Sequence, residues 1–282
     1  MLFKNKKTLI TYSDVVITIP IYKKKLTANE KLSLTQCLSI LSNYKITFIT
    51  YRELDTSEYK NILSTTTVNY DFVFFNKTFF ENINGYNALM KDIEFYKTFS
   101  KYKYILIYQL DAYVFKDELL LWCNKGYDYI GAPWFTEHKP YPNGNPETCG
   151  NGGLSLRRIN YFIDILSYKG PVETPIYLFA NLLKSKQYNI KNFFRTVKMC
   201  FGYENNINYY LTHGFTQEDG FFSLTFHKHT FKPILKPDWK TAAKFSFEMS
   251  PEFLYTEING LPFGCQAWEK YDYQTFWQKY IK

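Results

Sequence analysis

Acidic residues stand beside apolar runs at two points of the chain, where a carboxylate is able to do chemistry. Asp111 follows the apolar run 104–110, and the end of a buried strand is a common place for a carboxylate that binds a metal ion or a ligand. Glu218 and Asp219 precede the apolar run that starts at Phe221, and a carboxylate there is suited to take a proton from an attacking hydroxyl. Each position has a structural alternative. Asp111 would then be a turn residue, and the acidic pair would cap a helix and complement its dipole.

A glycine-rich segment spans 149–157 and contains Gly150, Gly152 and Gly153. Glycine lets a backbone approach a ligand closely or adopt positive φ. The spacing is neither that of a dinucleotide-binding fingerprint nor that of a P-loop, because no Gly-Lys-Ser/Thr follows. We therefore expect either a loop that lines a ligand or a tight turn into a helix at 157–167.

The segment LPFGCQAWEKYD at 261–272 combines small residues, Trp268 and mixed charges. We expect this C-terminal segment to pack back over the site, and a plain packed tail is the alternative.

Short apolar strands alternate with helices over the first 110 residues. Strands are predicted at 15–20, 46–50, 71–75 and 104–110, and helices after a capping box at 27–30, at 55–63 and at 85–100. This alternation predicts a single α/β domain over 1–282, with a mainly parallel sheet covered by helices on both faces. Ligands bind beyond the carboxyl ends of such strands, so the segment after Pro20 and residues 109–115 are expected to face one crevice. The stretch 135–153 is rich in Pro, Gly and Asn and is predicted to be irregular.

The composition is that of a globular protein with a modest basic excess. Hydrophobic residues make up 46% and charged residues 21% of the chain, which excludes a disordered protein. The net charge of +8 favours anionic partners. The aromatic share of 20% supplies rings that can stack on sugars or bases, and the base composition of an AT-rich genome is the alternative explanation. Because no zinc-finger or RNP-type motif accompanies the charge, we expect no nucleic-acid partner.

Cysteine usage and hydropathy together predict a cytoplasmic protein. The five cysteines are widely spaced without a C-x-x-C pair, which argues against a disulfide framework and a structural zinc site. No run approaches the roughly 18–20 apolar residues of a membrane span. Contact with a membrane would then be peripheral, and the basic stretch 184–198 is the candidate for it, with a charged acceptor or a solvated face as alternatives. Its cationic residues are Lys184, Lys186, Lys191, Arg195 and Lys198.

Seven segments together resemble a poorly characterised family of GT-A-like glycosyltransferases encoded in bacterial and viral surface-glycan gene clusters. In chain order they are VVITIPIYKKKLTANEKLSL at 15–34, YKYILIYQLDAYVF at 102–115, YDYIGAPW at 127–134, GNGGLSLR at 150–157, EDGFFS at 218–223, KFSFE at 244–248 and LPFGCQAWEKYD at 261–272. The region 168–215 does not match clearly and is interpreted as a helical insertion. The resemblance implies a GT-A fold and transfer of a sugar, with inversion, from a nucleotide-sugar, with UDP-sugars favoured. The acceptor would be a hydroxyl of a glycan or of a lipid-linked or protein-linked glycoconjugate.

The resemblance also implies roles for individual residues. Asp219 would be the catalytic base of a Glu-Asp element that includes Glu218, and Asp111 would bind a divalent metal (Mn²⁺ or Mg²⁺) and the donor diphosphate. The other donor-binding positions are Pro20, Ile21, Tyr22, Gln109, Tyr113, Arg157 and Lys270. The donor–acceptor junction would comprise Trp134, Asn151, Gly152, Gly153 and Trp268.

The sequence departs from the family pattern at two expected metal ligands. Tyr113 stands where an Asp-x-Asp element has its second Asp, and Gln266 stands where a C-terminal His is expected. Magnesium and manganese favour carboxylate oxygens, so this set predicts a weak metal site with Asp111 as its main ligand. Arg157 and Lys270 are then the cations expected to offset the charge of the leaving group. A sugar- or nucleotide-binding protein without turnover is the alternative function.

Overall fold

The computed structural model describes residues 9–185 and 189–282. Its strands are β1 (Val15–Pro20), β2 (Lys45–Thr50), β3 (Tyr70–Phe74), β4 (Tyr104–Tyr108), β5 (Ala112–Val114), β6 (Tyr129–Ile130), β7 (Pro133–Phe135), β8 (Pro146–Cys149), β9 (Leu154–Arg158), β10 (Ser246–Phe247) and β11 (Gly264–Gln266). Its α-helices are α1 (Ala28–Ile40), α2 (Ser57–Leu63), α3 (Ile83–Met90), α4 (Ile93–Thr98), α5 (Leu119–Lys125), α6 (Ile159–Ser167), α7 (Pro175–Lys184), α8 (Ile190–Cys200), α9 (Ile207–His213), α10 (Glu218–Thr225), α11 (Trp239–Phe245) and α12 (Pro251–Ile258).

The central sheet has the strand order β3-β2-β1-β4-β9-β6. The first four strands in this order run parallel, and β9 is antiparallel to both of its neighbours. Every residue of β1 and β4 is buried, as expected for strands covered on both faces. The predicted α/β fold with a mainly parallel sheet is therefore confirmed.

Alternate residues of β1 separate two apolar cores. Val15, Ile17 and Ile19 belong to the core that includes Leu34 of α1. Val16 belongs to the opposite core, which includes Phe162 of α6. Helices therefore lie on both faces of the sheet, because the period of two sends neighbouring side chains to opposite sides.

Local sequence signals explain several helix boundaries. The predicted capping box is present: Thr27 Oγ1 accepts from the Glu30 N–H at 3.2 Å, and Glu30 Oε2 accepts from the Thr27 N–H at 2.8 Å. The single helix predicted over 85–100 is instead two helices, α3 and α4. The chain breaks between them because the Asp92 side chain accepts from the Glu94 N–H and starts α4.

Two other local predictions also need correction. The stretch 135–153 is only partly irregular, since β8 pairs antiparallel with β7. The glycines at 150, 152 and 153 do not turn directly into a helix, because β9 follows them and precedes α6.

A third apolar core joins the C-terminal elements to β5. Strands β10, β11 and β5 form a small sheet, and Trp268 and Trp277 are buried beside Phe247 and Leu254. The segment 261–272 thus packs back onto the residues that follow Asp111, since Gln266 pairs with Ala112.

Region 168–215 is helical where the structure describes it, with α7, α8 and α9. Lys186 of the predicted basic stretch lies outside the described residues. Among the helices of 9–185 and 189–282, none is long and apolar enough to cross a membrane.

Candidate functional site

A pocket opens at the carboxyl ends of β1 and β4, and we call it the β1–β4 pocket. Its volume is about 530 Å³. The lining includes Pro20, Ile21 and Tyr22 after β1, and Gln109 and Asp111 after β4. The predicted shared crevice is therefore present for these residues.

The walls of the β1–β4 pocket divide into an apolar and a charged part. Tyr59, Phe79, Phe80 and Tyr86 provide aromatic surface, none of which the sequence analysis identified. The charged lining residues are Lys23, Glu30, Glu81, Asp111, Glu269 and Lys270. The aromatic part of such a pocket suits a flat apolar group. The charged part holds four acids and two lysines, of which Lys23 is paired with Glu30 at 2.6 Å.

Asp111 is the most perturbed carboxyl group in the β1–β4 pocket. Burial raises its pKa to about 6, and the charges of Glu269 and Glu30 act in the same direction, whereas Lys23 opposes them. Its Oδ1 atom is buried and has no hydrogen-bond partner. An unpartnered buried carboxylate oxygen is costly unless a bound ligand satisfies it.

A second pocket lies beside the start of α10, and we call it the α10 pocket. Its volume is about 510 Å³. Asp219, Trp134 and Asn151 line it, together with Glu248 and Tyr271. Predicted catalytic and junction residues therefore meet here, although their roles remain predictions.

Glu248 lies where the two pockets approach each other. Burial raises its pKa to about 7, a hydrogen bond with the Asn151 side chain lowers it, and the charges of Asp219 and Asp111 raise it further. Lys270, which lines the β1–β4 pocket, opposes this shift, while the next residue, Tyr271, lines the α10 pocket. Asp111 and Asp219 thus line separate pockets, and the charges of both act on the Glu248 carboxyl group.

Glu248 belongs to the KFSFE segment at 244–248, but no role was predicted for it from the sequence. The signal that selected Asp111, a carboxylate directly after an apolar strand, applies equally to Glu248 after β10. Because β10 has only two residues, it gave no recognisable strand pattern.

Glu218 and Arg157 are not exposed to either pocket but form a buried ion pair. The Arg157 Nη2 to Glu218 Oε1 distance is 2.9 Å, and their side chains are 0% and 3% exposed. Arg157 also donates to the Tyr96 hydroxyl at 2.9 Å and lies against the Tyr129 ring. The predicted contact of Arg157 with a donor diphosphate is therefore wrong, because its side chain is buried away from both pockets. Glu218 likewise supports the start of α10 and does not face a reacting group.

Tyr113, Trp268 and Gln266 also lie in the protein interior. Tyr113 and Trp268 pack edge to face at 6.4 Å in the third apolar core, so the predicted donor contact of Tyr113 and junction contact of Trp268 are corrected. Tyr113 does not line the β1–β4 pocket, because β5 pairs with β11 and the ring packs in the third apolar core. The Gln266 Oε1 atom accepts from the Leu154 N–H at 2.7 Å, which uses the oxygen proposed as a metal ligand.

Gly152 and Gly153 are needed for packing rather than for close approach to a ligand. A Cβ atom on Gly152 would lie 1.8 Å from Glu218 Oε1, and one on Gly153 would lie 2.2 Å from Gln266 Nε2. The positive φ in this loop belongs to Asn151, at 68°. The loop thus holds α10 and β11 in place and presents Asn151 to the α10 pocket.

The donor set does not fit a metal site built by the protein alone. Asp111 offers an unpartnered oxygen, but Tyr113 and Gln266 do not face it. Within 9–185 and 189–282, no three His, Cys, Asp or Glu side chains form a group able to hold a metal ion. A hard divalent cation takes about six oxygen ligands, which one carboxylate cannot supply.

The solved structures to which this chain is distantly similar include two glycosyltransferases. Mouse xyloside xylosyltransferase 1, in its apo form, is 10% identical with a TM-score of 0.48, over 89% of this chain and 96% of that one. Core-mannan synthase A of Aspergillus fumigatus, in an Mn/GDP form, is 9% identical with a TM-score of 0.40, over 73% of this chain and 70% of that one. Similarities at this level carry no argument about the chemistry of the present site.

Comparison of sequences gives a family. No curated protein matches the chain. A family described as "Protein of unknown function (DUF5672)" matches residues 69–266, a span that contains β4, the glycine-rich loop, α10, Glu248 and β11. Since this match covers well over half of the sequence, the chain belongs to the DUF5672 family.

Proposed function

We propose that this protein is a GT-A-type glycosyltransferase that moves a sugar from a nucleotide-sugar to an acceptor hydroxyl. One observation carries the proposal: Asp111 and Asp219 line two pockets that lie next to each other, since the consecutive residues Lys270 and Tyr271 line one each. A sugar attached to a donor in one pocket would lie beside an acceptor in the other.

The β1–β4 pocket is the proposed donor site. Its aromatic wall suits a nucleoside base, and Pro20, Ile21 and Tyr22 lie on the side where a ribose would extend. Lys270 supplies positive charge for a diphosphate, and a hydrogen bond with Tyr271 raises its pKa, whereas Lys23 is paired with Glu30 at 2.6 Å. UDP-sugars are the proposed donors.

The α10 pocket is the proposed acceptor site. Trp134 offers a ring face on which a sugar can stack, and Asn151 offers polar groups near Glu248. The proposed acceptor is a hydroxyl of a glycan, or of a lipid-linked or protein-linked glycoconjugate, reached in the cytoplasm.

Asp219 is the proposed general base. It is half-buried in the α10 pocket, where its carboxylate can accept the proton of an acceptor hydroxyl while that oxygen attacks the anomeric carbon. The bond to the diphosphate breaks on the opposite side, which inverts the anomeric centre. Lys270 would stabilise the charge that grows on the leaving diphosphate, and no step is assigned to a metal ion.

The test is Asp219→Asn in a transfer assay with UDP-, GDP-, CMP- and dTDP-sugars. We expect turnover to fall by about 10²- to 10⁴-fold while donor binding, followed by thermal shift, is retained. Glu252→Gln, an exposed carboxylate on α12, is the matched control. Unchanged turnover in a folded Asp219→Asn protein would remove Asp219 from the mechanism. If the wild type binds a donor but releases no nucleoside diphosphate, the protein instead binds nucleotide-sugars without transferring a sugar.

A further inference from the structure

Helices α7 and α8 expose large apolar side chains that the fold does not cover. Ile176 is 85% exposed and Leu183 is 72% exposed on α7, while Ile190 on α8 is 77% exposed. Phe194 is 57% exposed, and Phe201, just after the end of α8, is 85% exposed. Single exposed apolar residues are ordinary on protein surfaces, but a group of this size in two adjacent helices requires an explanation.

We call these exposed residues the α7–α8 face. Ile176 and Leu183 are seven residues apart on α7, and Ile190 and Phe194 are four residues apart on α8, which places each pair on one side of its helix. The opposite side of α7 is anchored by the buried Leu178 and Leu182. The two helices touch through the Phe179 and Phe193 rings, whose centroids are 6.1 Å apart.

The charge around the α7–α8 face is mainly positive, although Glu204, just after α8, pairs with Arg195 at 2.6 Å. From 175 to 203 the sequence contains no Asp or Glu, whereas it contains five Lys and Arg residues. On α8, Lys191 and Lys198 are exposed and, at seven residues apart, lie beside the stripe formed by Ile190 and Phe194. An apolar stripe with cations along its margin is the pattern of a helix that lies in a membrane interface.

We propose that the α7–α8 face docks on the surface of an anionic lipid bilayer. The aromatic and aliphatic side chains would enter the boundary between headgroups and acyl chains, and the lysines would remain beside the lipid phosphates. A second copy of the chain fits this face poorly, because pairing two such faces would bring Lys191 and Lys198 close to the same cations of the other copy. Docking here is independent of the chemistry proposed for the two pockets.

The test is co-sedimentation of the full chain with vesicles of phosphatidylcholine alone or of phosphatidylcholine with 30% phosphatidylglycerol. Lys191→Gln with Lys198→Gln removes two cations, and Phe194→Ser with Ile190→Ser removes apolar surface. The matched controls are Lys101→Gln with Lys125→Gln, and Leu121→Ser, which change the same residue types outside the face. Circular dichroism establishes that each variant is folded.

We expect the wild type to bind the anionic vesicles and to release them at high salt. Since each lysine near an anionic surface contributes about fivefold in partitioning, the double lysine variant should bind about 25-fold more weakly. Loss of binding in both face variants with retention in the controls supports the proposal. It is overturned if the wild type binds neither vesicle, or if face and control variants bind equally. It is also overturned if the face variants abolish self-association, measured by light scattering, and not vesicle binding.

Discussion

Replacing Glu248 by Gln should stabilise the protein at alkaline pH, because the native fold holds this carboxyl in a place that disfavours its charge. The ordinary pKa of the group is 4.5, and burial with the nearby Asp219 and Asp111 raises it to about 7. Below pH 4.5 the group is protonated in both the folded and the unfolded chain and has no effect on stability. Between pH 4.5 and 7 the folded state holds a proton that the unfolded state has lost, so the free energy of unfolding falls as pH rises.

The magnitude follows from the size of this shift. A rise of about 2.5 pKa units corresponds to about 3 kcal/mol, which is present in full above pH 7. Gln keeps the shape and can still accept from Asn151, but it carries no charge. Glu248→Gln should therefore gain about 3 kcal/mol relative to the wild type between pH 4 and pH 8, or roughly 6 °C in Tm for a chain of this size. Removing the Glu248 charge also removes its repulsion of the neighbouring Asp111, which stabilises the variant further.

The assay is urea unfolding of the wild type and Glu248→Gln at pH 4, 6 and 8, with Glu252→Gln as the control. At each pH the free energy of unfolding of the wild type is subtracted from that of the variant, and the change of this difference with pH is the result. Any effect of the substitution that does not depend on pH cancels. Parallel stability curves for the wild type and Glu248→Gln would refute the reasoning, because they would mean that Glu248 titrates as a solvated group.

Three further predictions concern other parts of the site. Arg157→Met leaves the buried Glu218 carboxylate without its partner and should lower the free energy of unfolding by about 3–5 kcal/mol. Adding Glu218→Gln should recover part of this loss. If urea unfolding shows no recovery, the assigned ion pair is contradicted. Mn²⁺ alone should leave Tm unchanged, because among the described residues no three His, Cys, Asp or Glu side chains are grouped to hold it, whereas UDP at 100 times its Kd should stabilise by about 2.7 kcal/mol; a shift with Mn²⁺ alone would show a metal site built by the protein. Trp134→Ala should raise the KM for the acceptor about fivefold, from loss of about 1 kcal/mol of stacking, with the donor KM unchanged; an effect on the donor alone would move Trp134 out of the acceptor site.

The sheet was predictable from the sequence because its strands carry their own signal. Four apolar runs and a capping box at Thr27 are local patterns, and the structure has strands within one or two residues of each predicted run. The convergence of Pro20 and Asp111 followed from a topological rule, since parallel neighbours end at the same edge.

Orientation of side chains was less predictable, because it depends on contacts between distant segments. Arg157 is a residue that sequence reasoning places at an anion, yet here it pairs with Glu218, 61 residues away. Tyr113 lies two residues from Asp111, but β5 pairs with β11 and directs the ring into the C-terminal core. Neither pairing can be recognised from the spacing of neighbouring residues in the sequence.

Glu248 shows why charge and burial must be read together to find such a site. Asp219 alone has a structural explanation at the start of α10, and Asp111 alone has one at a turn. The fold keeps the carboxyl group of Glu248 close to neutral, which costs stability above pH 7. Its packing offers no structural explanation for this cost. Carboxyl groups with raised pKa values occur at functional sites as well as in structural networks, and the position of Glu248 in the α10 pocket together with Asp219 favours the functional explanation.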